Sequence, residues 1–191
     1  MYSIVEASAS QPDVIALIAE LDRYQAALYP AESNHLLDLA SLPDETLILR
    51  KILHLEQAVG CGAVVLNHDG SGEMKRVFID PTHRGQQLGE KLIAALEQAA
   101  AGRACHTLRL ETGIEQHAAI KLYQRCGYQI RDAFAPYQPD PLSIFMEKAL
   151  GLTPCRARVQ ASVSPVCGVA VINATSNSEW AARRTWREKQ R

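Results

Sequence analysis

The sequence lacks any apolar run that could cross a membrane. A bilayer span needs about 20 consecutive apolar residues, and no segment of the 191-residue chain approaches that length. The first ten residues, MYSIVEASAS, have neither the basic start nor the apolar centre of a secretory signal. We therefore expect a cytoplasmic protein without a membrane partner.

Paired cysteines and metal-ligand spacings are also lacking. The chain has five cysteines, an odd number, and no two form a C-x-x-C pair; its six histidines are scattered. A disulfide framework and the common zinc patterns both require regular spacings. Free thiols in a reducing cytoplasm and no metal are the expectation.

The sequence has no overall basic excess, since its formal net charge is −1. Residues 1–150 hold 13 Lys and Arg against 19 Asp and Glu, a net charge of −6, whereas 151–191 hold 7 against 2, a net charge of +5. Nucleic-acid binders usually carry a basic surface, so nucleic acid is an unlikely partner, although the basic tail leaves that hypothesis open. We predict one domain over 1–150 and a loosely packed or disordered tail over 151–191, which lacks sustained periodicity.

Hydrophobic periodicity and turn residues predict the order β-α-α-β-β-β-α-β-α-β-β in the first 150 residues. Apolar residues recur with helical spacing after Asp13, and a second short helix is predicted at Ser33–Leu39. The clearest helix is predicted at Gly85–Ala101, and a further helix at Gln116–Cys126 is followed by a strand predicted at Tyr128–Phe134. The fold class expected is α/β, a mixed, mainly antiparallel central sheet flanked by helices.

One junction has a composition suited to anion binding. The strand ending at Ile79 is followed by a short loop and by Arg84-Gly85-Gln86-Gln87-Leu88-Gly89. Unpaired N–H groups at a helix start attract phosphate, and glycine lets its oxygens approach the backbone. Taken alone, such a junction is more often a simple turn.

Two motifs in order resemble the GNAT superfamily of N-acetyltransferases. The first is the Arg84–Gly89 segment, which is similar to the family's Arg/Gln-x-x-Gly-x-Gly/Ala loop. The second, Gln116-x-x-Ala119-Ile120-x-Leu122-Tyr123-x-x-x-Gly127-Tyr128, resembles Asn-x-x-Ala-Ile-x-x-Tyr-x-x-x-Gly-Phe. Gln87 stands where the family usually has glycine, and Gln116 where it often has asparagine. The resemblance covers residues 1–150. The tract from Leu110 to Lys148 resembles a bacterial subgroup of small, mostly uncharacterised acetyltransferases.

The resemblance implies that acetyl-CoA is the co-substrate. Backbone amides of Arg84, Gly85, Gln86, Gln87, Leu88 and Gly89 would hold the pyrophosphate. The main chain of Val77, Phe78 and Ile79 would pair with the pantetheine, and Gln116 and Tyr123 would also contact the coenzyme. Gln87 is expected in the first helical turn, in right-handed conformation.

The resemblance also implies an acid and a base. Tyr123 would protonate the leaving thiolate, although its apolar-face position also fits a core aromatic. Glu73 would deprotonate the amine; a solvated carboxylate, with a water chain as the base, is the alternative.

On the acceptor side, Tyr29, Glu32 and Tyr137 are the expected contacts, because aromatic and acidic groups suit a cationic amine. The implied activity is acetyl transfer to a primary amine by direct attack. A catalytically silent acyl-CoA sensor or partner-binding module is the rival hypothesis. Whether the protein forms a homodimer stays an open question.

Overall fold

The computed structural model describes residues 1–29 and 37–151. The acceptor contact expected at Glu32, most of the helix expected at Ser33–Leu39 and the tail after Gly151 lie outside the described residues. Seven strands and three α-helices make up this part of the chain. In chain order they are β1 (Tyr2–Glu6), α1 (Pro12–Ala26), β2 (Leu47–His54), β3 (Gln57–Leu66), β4 (Ser71–Ile79), α2 (Leu88–Gly102), β5 (Thr107–Gly113), α3 (His117–Arg125), β6 (Gln129–Arg131) and β7 (Ser143–Ala149).

The strands form one sheet in the order β1-β2-β3-β4-β5-β7-β6. Every neighbouring pair is antiparallel except β4 and β5, which run parallel. The predicted α/β fold, with a mixed, mainly antiparallel sheet flanked by helices, is confirmed. The parallel pair lies in the middle of the sheet, and the chain crosses between its two strands through α2.

Each face of the sheet carries its own apolar core. Helix α2 packs on one face through Leu92, Ile93 and Leu96, which are fully buried together with strand residues such as Val64 and Leu108. Helix α1 packs on the other face, where Leu17 and Leu21 contact Phe78. We call these the α2 face and the α1 face. This two-sided burial explains why β3 contains a nearly continuous buried run.

Two element bounds differ from the sequence prediction by three residues. Helix α2 begins at Leu88 instead of Gly85, because Gly85 and Gln87 adopt left-handed conformations with φ of 79° and 58°. The strand expected at Tyr128–Phe134 is only Gln129–Arg131. It stops early because Phe134 turns inward and packs its ring against Tyr137 and Phe145.

Candidate active site

The two parallel strands separate partway along their length. Pairing of β4 with β5 runs from Ser71 opposite Thr107 to Met74 opposite Leu110 and then stops. Beyond that point β4 continues to Ile79, while β5 stays paired with β7 as far as Gly113. Among residues 1–29 and 37–151, no strand pairs with the β5-facing edge of β4 over Lys75–Ile79, and we call it the open edge of β4. Main-chain groups on an open strand edge can pair with an extended ligand.

A β-bulge in β4 lies directly beyond the separation. Cys61 pairs with Phe78 and Ala63 with Lys75, so Gly62 alone faces both Arg76 and Val77. Arg76 has a left-handed φ of 56°. A bulge of this kind re-aims the backbone groups that follow it.

Side-chain contacts hold the bulge in place. The Arg76 guanidinium forms an ion pair with Asp22 of α1 and donates a hydrogen bond to the Leu37 carbonyl at 3.2 Å. The Cys61 thiol lies 3.6 Å from the Arg76 carbonyl. Burial raises the pKa of Cys61 to about 12, so this thiol stays protonated and is unsuited to act as a nucleophile.

The conformation of the loop between β4 and α2 is set by an acidic cap, Asp80, and by two left-handed residues, Gly85 and Gln87. The Asp80 carboxylate accepts a hydrogen bond from the Thr82 N–H at 2.8 Å and shapes a short 3-10 turn over Pro81–His83. Left-handed Gly85 and Gln87 then alternate with Gln86 before the helix begins. Such alternation turns successive N–H groups toward one side and forms an anion-binding concavity. The expectation of a right-handed Gln87 is wrong, since Gln87 precedes the helix as its N-cap.

A pocket of about 560 Å³ lies where the open edge of β4, this loop and α3 meet. Except for Gln86, every residue expected to bind the coenzyme lines it: Val77, Phe78, Ile79, Arg84, Gly85, Gln87, Leu88, Gly89, Gln116 and Tyr123. The pocket thus brings together a strand edge, a loop suited to phosphate and a helix N-terminus. Gln86 instead donates a hydrogen bond to the Tyr2 hydroxyl at 2.9 Å.

The pocket has further walls that were not predicted. They are supplied by Leu21 and Tyr24 of α1, Glu90 of α2, and Ala118, Ala119, Leu122 and Arg125 of α3. The spacing of Ala119, Leu122 and Tyr123 on one helix face could have indicated part of this wall. Arg125 lies at the pocket and donates to the Glu90 carboxylate at 2.8 Å.

Gly89 serves packing between two helices as well as lining the pocket. A methyl group at this position would lie 2.8 Å from a terminal methyl carbon of Leu122. The missing side chain therefore lets α3 approach the first turn of α2. The sequence had suggested only that Gly89 gives phosphate close access to the backbone.

Tyr123 lies on the inner wall of the pocket and is only 7% exposed. Its ring meets Tyr128 edge-on, with centroids 5.9 Å apart. Burial, and then the nearby Glu111 and Cys126, raise the pKa of the Tyr123 phenol above its usual value. The phenol therefore keeps its proton at neutral pH and can act as a donor.

Glu73 lies on the α1 face and belongs to a compact polar cluster. Its carboxylate accepts hydrogen bonds from the Tyr137 hydroxyl at 2.5 Å and from the Lys75 ammonium at 2.7 Å. Lys75 also donates to the Tyr137 oxygen at 2.6 Å. We call these three residues the Glu73 cluster. Burial and the Glu73 carboxylate raise the pKa of Tyr137, which is held as a neutral phenol.

Tyr29 takes a packing position beside the end of β5. Its hydroxyl accepts a hydrogen bond from the Glu115 N–H at 2.8 Å, and its ring lies over Gly113. Tyr29 does not line the 560 Å³ pocket. Its expected role as an acceptor contact stays a prediction.

A second cavity, of about 690 Å³, opens elsewhere, between the end of β1, the start of β2 and the last turn of α2. Its arginines are engaged: Arg50 with the Glu6 carboxylate, and Arg103 with the carbonyls of Glu45 and Leu47. None of the residues expected to bind the coenzyme lines it. On this chemistry the smaller pocket is the candidate active site.

Within residues 1–29 and 37–151, no three His, Cys, Asp or Glu side chains come together as ligands for a metal ion. None of the helices in these ranges combines the length and apolarity that a bilayer span requires.

The chain is similar to known proteins over most of its length. The model of the acetyltransferase (GNAT) family matches residues 14–128. An IAA acetyltransferase of Azospirillum brasilense is 46% identical over 149 residues, which are 78% of this chain and 97% of that protein. An uncharacterized N-acetyltransferase of Escherichia coli K12, YedL, is 31% identical over 152 residues, 78% and 96% of the two chains.

Solved structures of acyltransferases are similar to this chain in fold. A candidate acyl-CoA N-acyltransferase from Klebsiella pneumoniae is 60% identical, with a TM-score of 0.73 over 79% of this chain and 99% of that one. The PaiA N-acetyltransferase of Thermoplasma acidophilum, solved with coenzyme A, has a TM-score of 0.63 at 15% identity over 78% and 99%. The latter likeness concerns the fold alone.

Proposed function

Because the chain belongs to the acetyltransferase (GNAT) family, we propose that it moves the acetyl group of acetyl-CoA onto a primary amine of a small molecule or peptide. The observation that carries this proposal is the pocket in which the open edge of β4, the Arg84–Gly89 loop and Tyr123 meet. Each of these three parts fits a different portion of the coenzyme.

The coenzyme's phosphates and pantetheine arm fit the two backbone surfaces of the pocket. Left-handed Gly85 and Gln87 would direct N–H groups of the loop toward the phosphates. The N-terminus of α2 would add the attraction of the positive end of its helix dipole. The open edge of β4 at Val77–Ile79 would accept the pantetheine as an added strand. The Gln116 amide, at the start of α3, can both donate and accept.

Transfer would proceed by direct attack, without an acetyl-enzyme. The amine nitrogen attacks the thioester carbonyl carbon, the C–N bond forms, and the C–S bond breaks. A main-chain N–H near Ile79 would stabilise the oxyanion. Tyr123 would give its proton to the departing thiolate, a role that suits a buried phenol whose pKa is raised.

The Glu73 cluster would serve the amine. Its carboxylate is already hydrogen-bonded by Lys75 and Tyr137, so it is fixed in place close to where β4 and β5 separate. Glu73 would take the amine's proton, directly or through water, and the Tyr137 ring would contact the acceptor. The expected contacts at Tyr29 and Glu32 belong to the same proposal.

An amine screen tests the proposed function. Purified protein is incubated with acetyl-CoA and each member of a panel of primary amines, and the free thiol of released CoA is measured. IAA is added to the panel because the Azospirillum relative is called an IAA acetyltransferase. We expect amine-dependent release of CoA that Tyr123→Phe suppresses. Binding of acetyl-CoA without release by any amine would favour the acyl-CoA sensor, and transfer to IAA alone would contradict the amine acceptor.

A further inference from the structure

The first strand of the sheet reaches the phosphate loop through one tyrosine. Tyr2 pairs with His54 across β1 and β2, and their rings stack with centroids 4.6 Å apart and planes inclined by 25°. The His83 ring stands edge-on to both, at 5.2 Å from His54 and 5.9 Å from Tyr2. His83 ends the 3-10 turn directly before Arg84.

The Tyr2 hydroxyl makes two hydrogen bonds to that loop. Gln86 donates its side-chain amide to the Tyr2 oxygen at 2.9 Å. The single hydroxyl hydrogen of Tyr2 is then free to point at Nδ1 of His83, 3.0 Å away. One hydroxyl therefore joins two side chains that lie on either side of Arg84 and Gly85.

The segment between these side chains is attached to β4 by the Arg84 side chain, which donates to the Ile79 carbonyl at 3.0 Å. Gly85 has a φ of 79°, and a methyl group added there would meet none of the described residues within 4 Å. Gln87 holds a left-handed conformation that residues with side chains adopt only at a cost. Gln86 turns away from the pocket toward Tyr2. The two hydrogen bonds of Tyr2 attach the loop to β1 as well.

We propose that Tyr2 is a positioning residue for acetyl-CoA: through His83 and Gln86 it holds the Arg84–Gly89 loop in its phosphate-binding conformation. The inference rests on the proposed function, in that the loop must bind the coenzyme. Tyr2 itself does not line the pocket. Its effect is thus on the geometry of the loop's N–H groups and not on a direct contact.

The test is the affinity for acetyl-CoA, measured by titration calorimetry. Tyr2→Phe keeps the ring and its stacking on His54 but removes both hydrogen bonds. We expect the dissociation constant to rise about 3- to 10-fold, the effect of losing neutral hydrogen bonds. His83→Ala removes only one of the two hydrogen bonds and should weaken binding less, and the double variant should be no weaker than Tyr2→Phe, because Tyr2→Phe already removes both.

A conservative variant separates positioning from general support of the fold. His83→Asn offers an amide oxygen close to the place of Nδ1 and should restore the affinity to within about 2-fold of the wild type. His54→Phe preserves stacking and should leave the affinity unchanged. The melting temperature of ligand-free Tyr2→Phe should stay within about 2 °C of the wild type.

The outcomes are distinct. A wild type that does not bind acetyl-CoA overturns the proposed function and this inference together. A wild type that binds, with Tyr2→Phe binding equally well, overturns only the role of Tyr2. A weaker Tyr2→Phe that also melts much lower, with no recovery in His83→Asn, shows a structural role and likewise overturns the inference.

Discussion

The ring of Tyr29 occupies the space that a side chain on Gly113 would need. A methyl group built on Gly113 overlaps both the ring and the hydroxyl oxygen of Tyr29, whose hydroxyl accepts the Glu115 N–H. The connection after α1 is thereby attached to the end of β5, next to the start of α3.

Gly113→Ala should therefore lower the free energy of unfolding by about 1–3 kcal/mol, as expected for overpacking a filled site. Gly102→Ala is the matched control, since a methyl group there meets nothing within 4 Å. Urea unfolding of both variants measures the difference. Equal stability of the two would mean that the Tyr29 ring yields without cost.

Gln87→Gly should stabilise the protein by about 0.5–1 kcal/mol. Gln87 has a φ of 58°, where a side chain is penalised and glycine is not. Gln98→Gly in the middle of α2 is the matched control and should destabilise by about 1 kcal/mol, because there the residue is helical and exposed. Loss of stability in both variants would show that Gln87 makes compensating contacts.

Tyr123→Phe should bind acetyl-CoA as the wild type does, but turn over about 10² to 10³ times more slowly. The ring and its contact with Tyr128 remain, so packing is preserved. Calorimetry measures binding and thiol release measures turnover. Undiminished turnover would reduce Tyr123 to a core aromatic.

Glu147→Gln should destabilise the protein at pH 7 but much less at pH 3. Hydrogen bonds from Arg109, and also from Arg131, hold the pKa of the Glu147 carboxyl below its usual range. Because the pKa is lowered in the folded state, the ionised Glu147 carboxylate adds stability at pH values above the unfolded-state pKa of about 4.3. This contribution is lost as the pH falls through the folded-state pKa.

Since the Glu147 side chain is about one-third exposed, we expect an effect at pH 7 of about 1 kcal/mol or less. Urea unfolding at the two pH values measures it. Glu20→Gln, which removes an exposed pair with Arg23, is the control and should have no measurable effect. A difference between Glu147→Gln and wild type that persists at pH 3 would contradict the ionic explanation.

Local patterns predicted the order of secondary-structure elements around the pocket. The order strand, loop and helix around Arg84, and the spacing from Gln116 to Tyr123, follow from residues close in sequence. Gln87 was placed wrongly because the helical pattern ending at Ala101 was extended back to Gly85, whereas the loop imposes a left-handed conformation on Gln87.

Contacts between distant residues could not be read from the sequence. Tyr2 lies 84 positions before Gln86, and Tyr137 lies 64 positions after Glu73. No periodicity connects such pairs, since strand pairing and the turn before β7 bring them together. The sequence pointed to Glu73 and Tyr137 separately but not to the Lys75 ammonium that touches both.

The sheet order has a consequence for synthesis on the ribosome. Strand β7 lies between β5 and β6, although it is translated after both. Until Ser143–Ala149 has emerged, one edge of β5 has no neighbour and β6 has no strand to join. Nascent chains stalled before Ser143 should thus expose an unpaired strand edge, which favours aggregation and recruits chaperones.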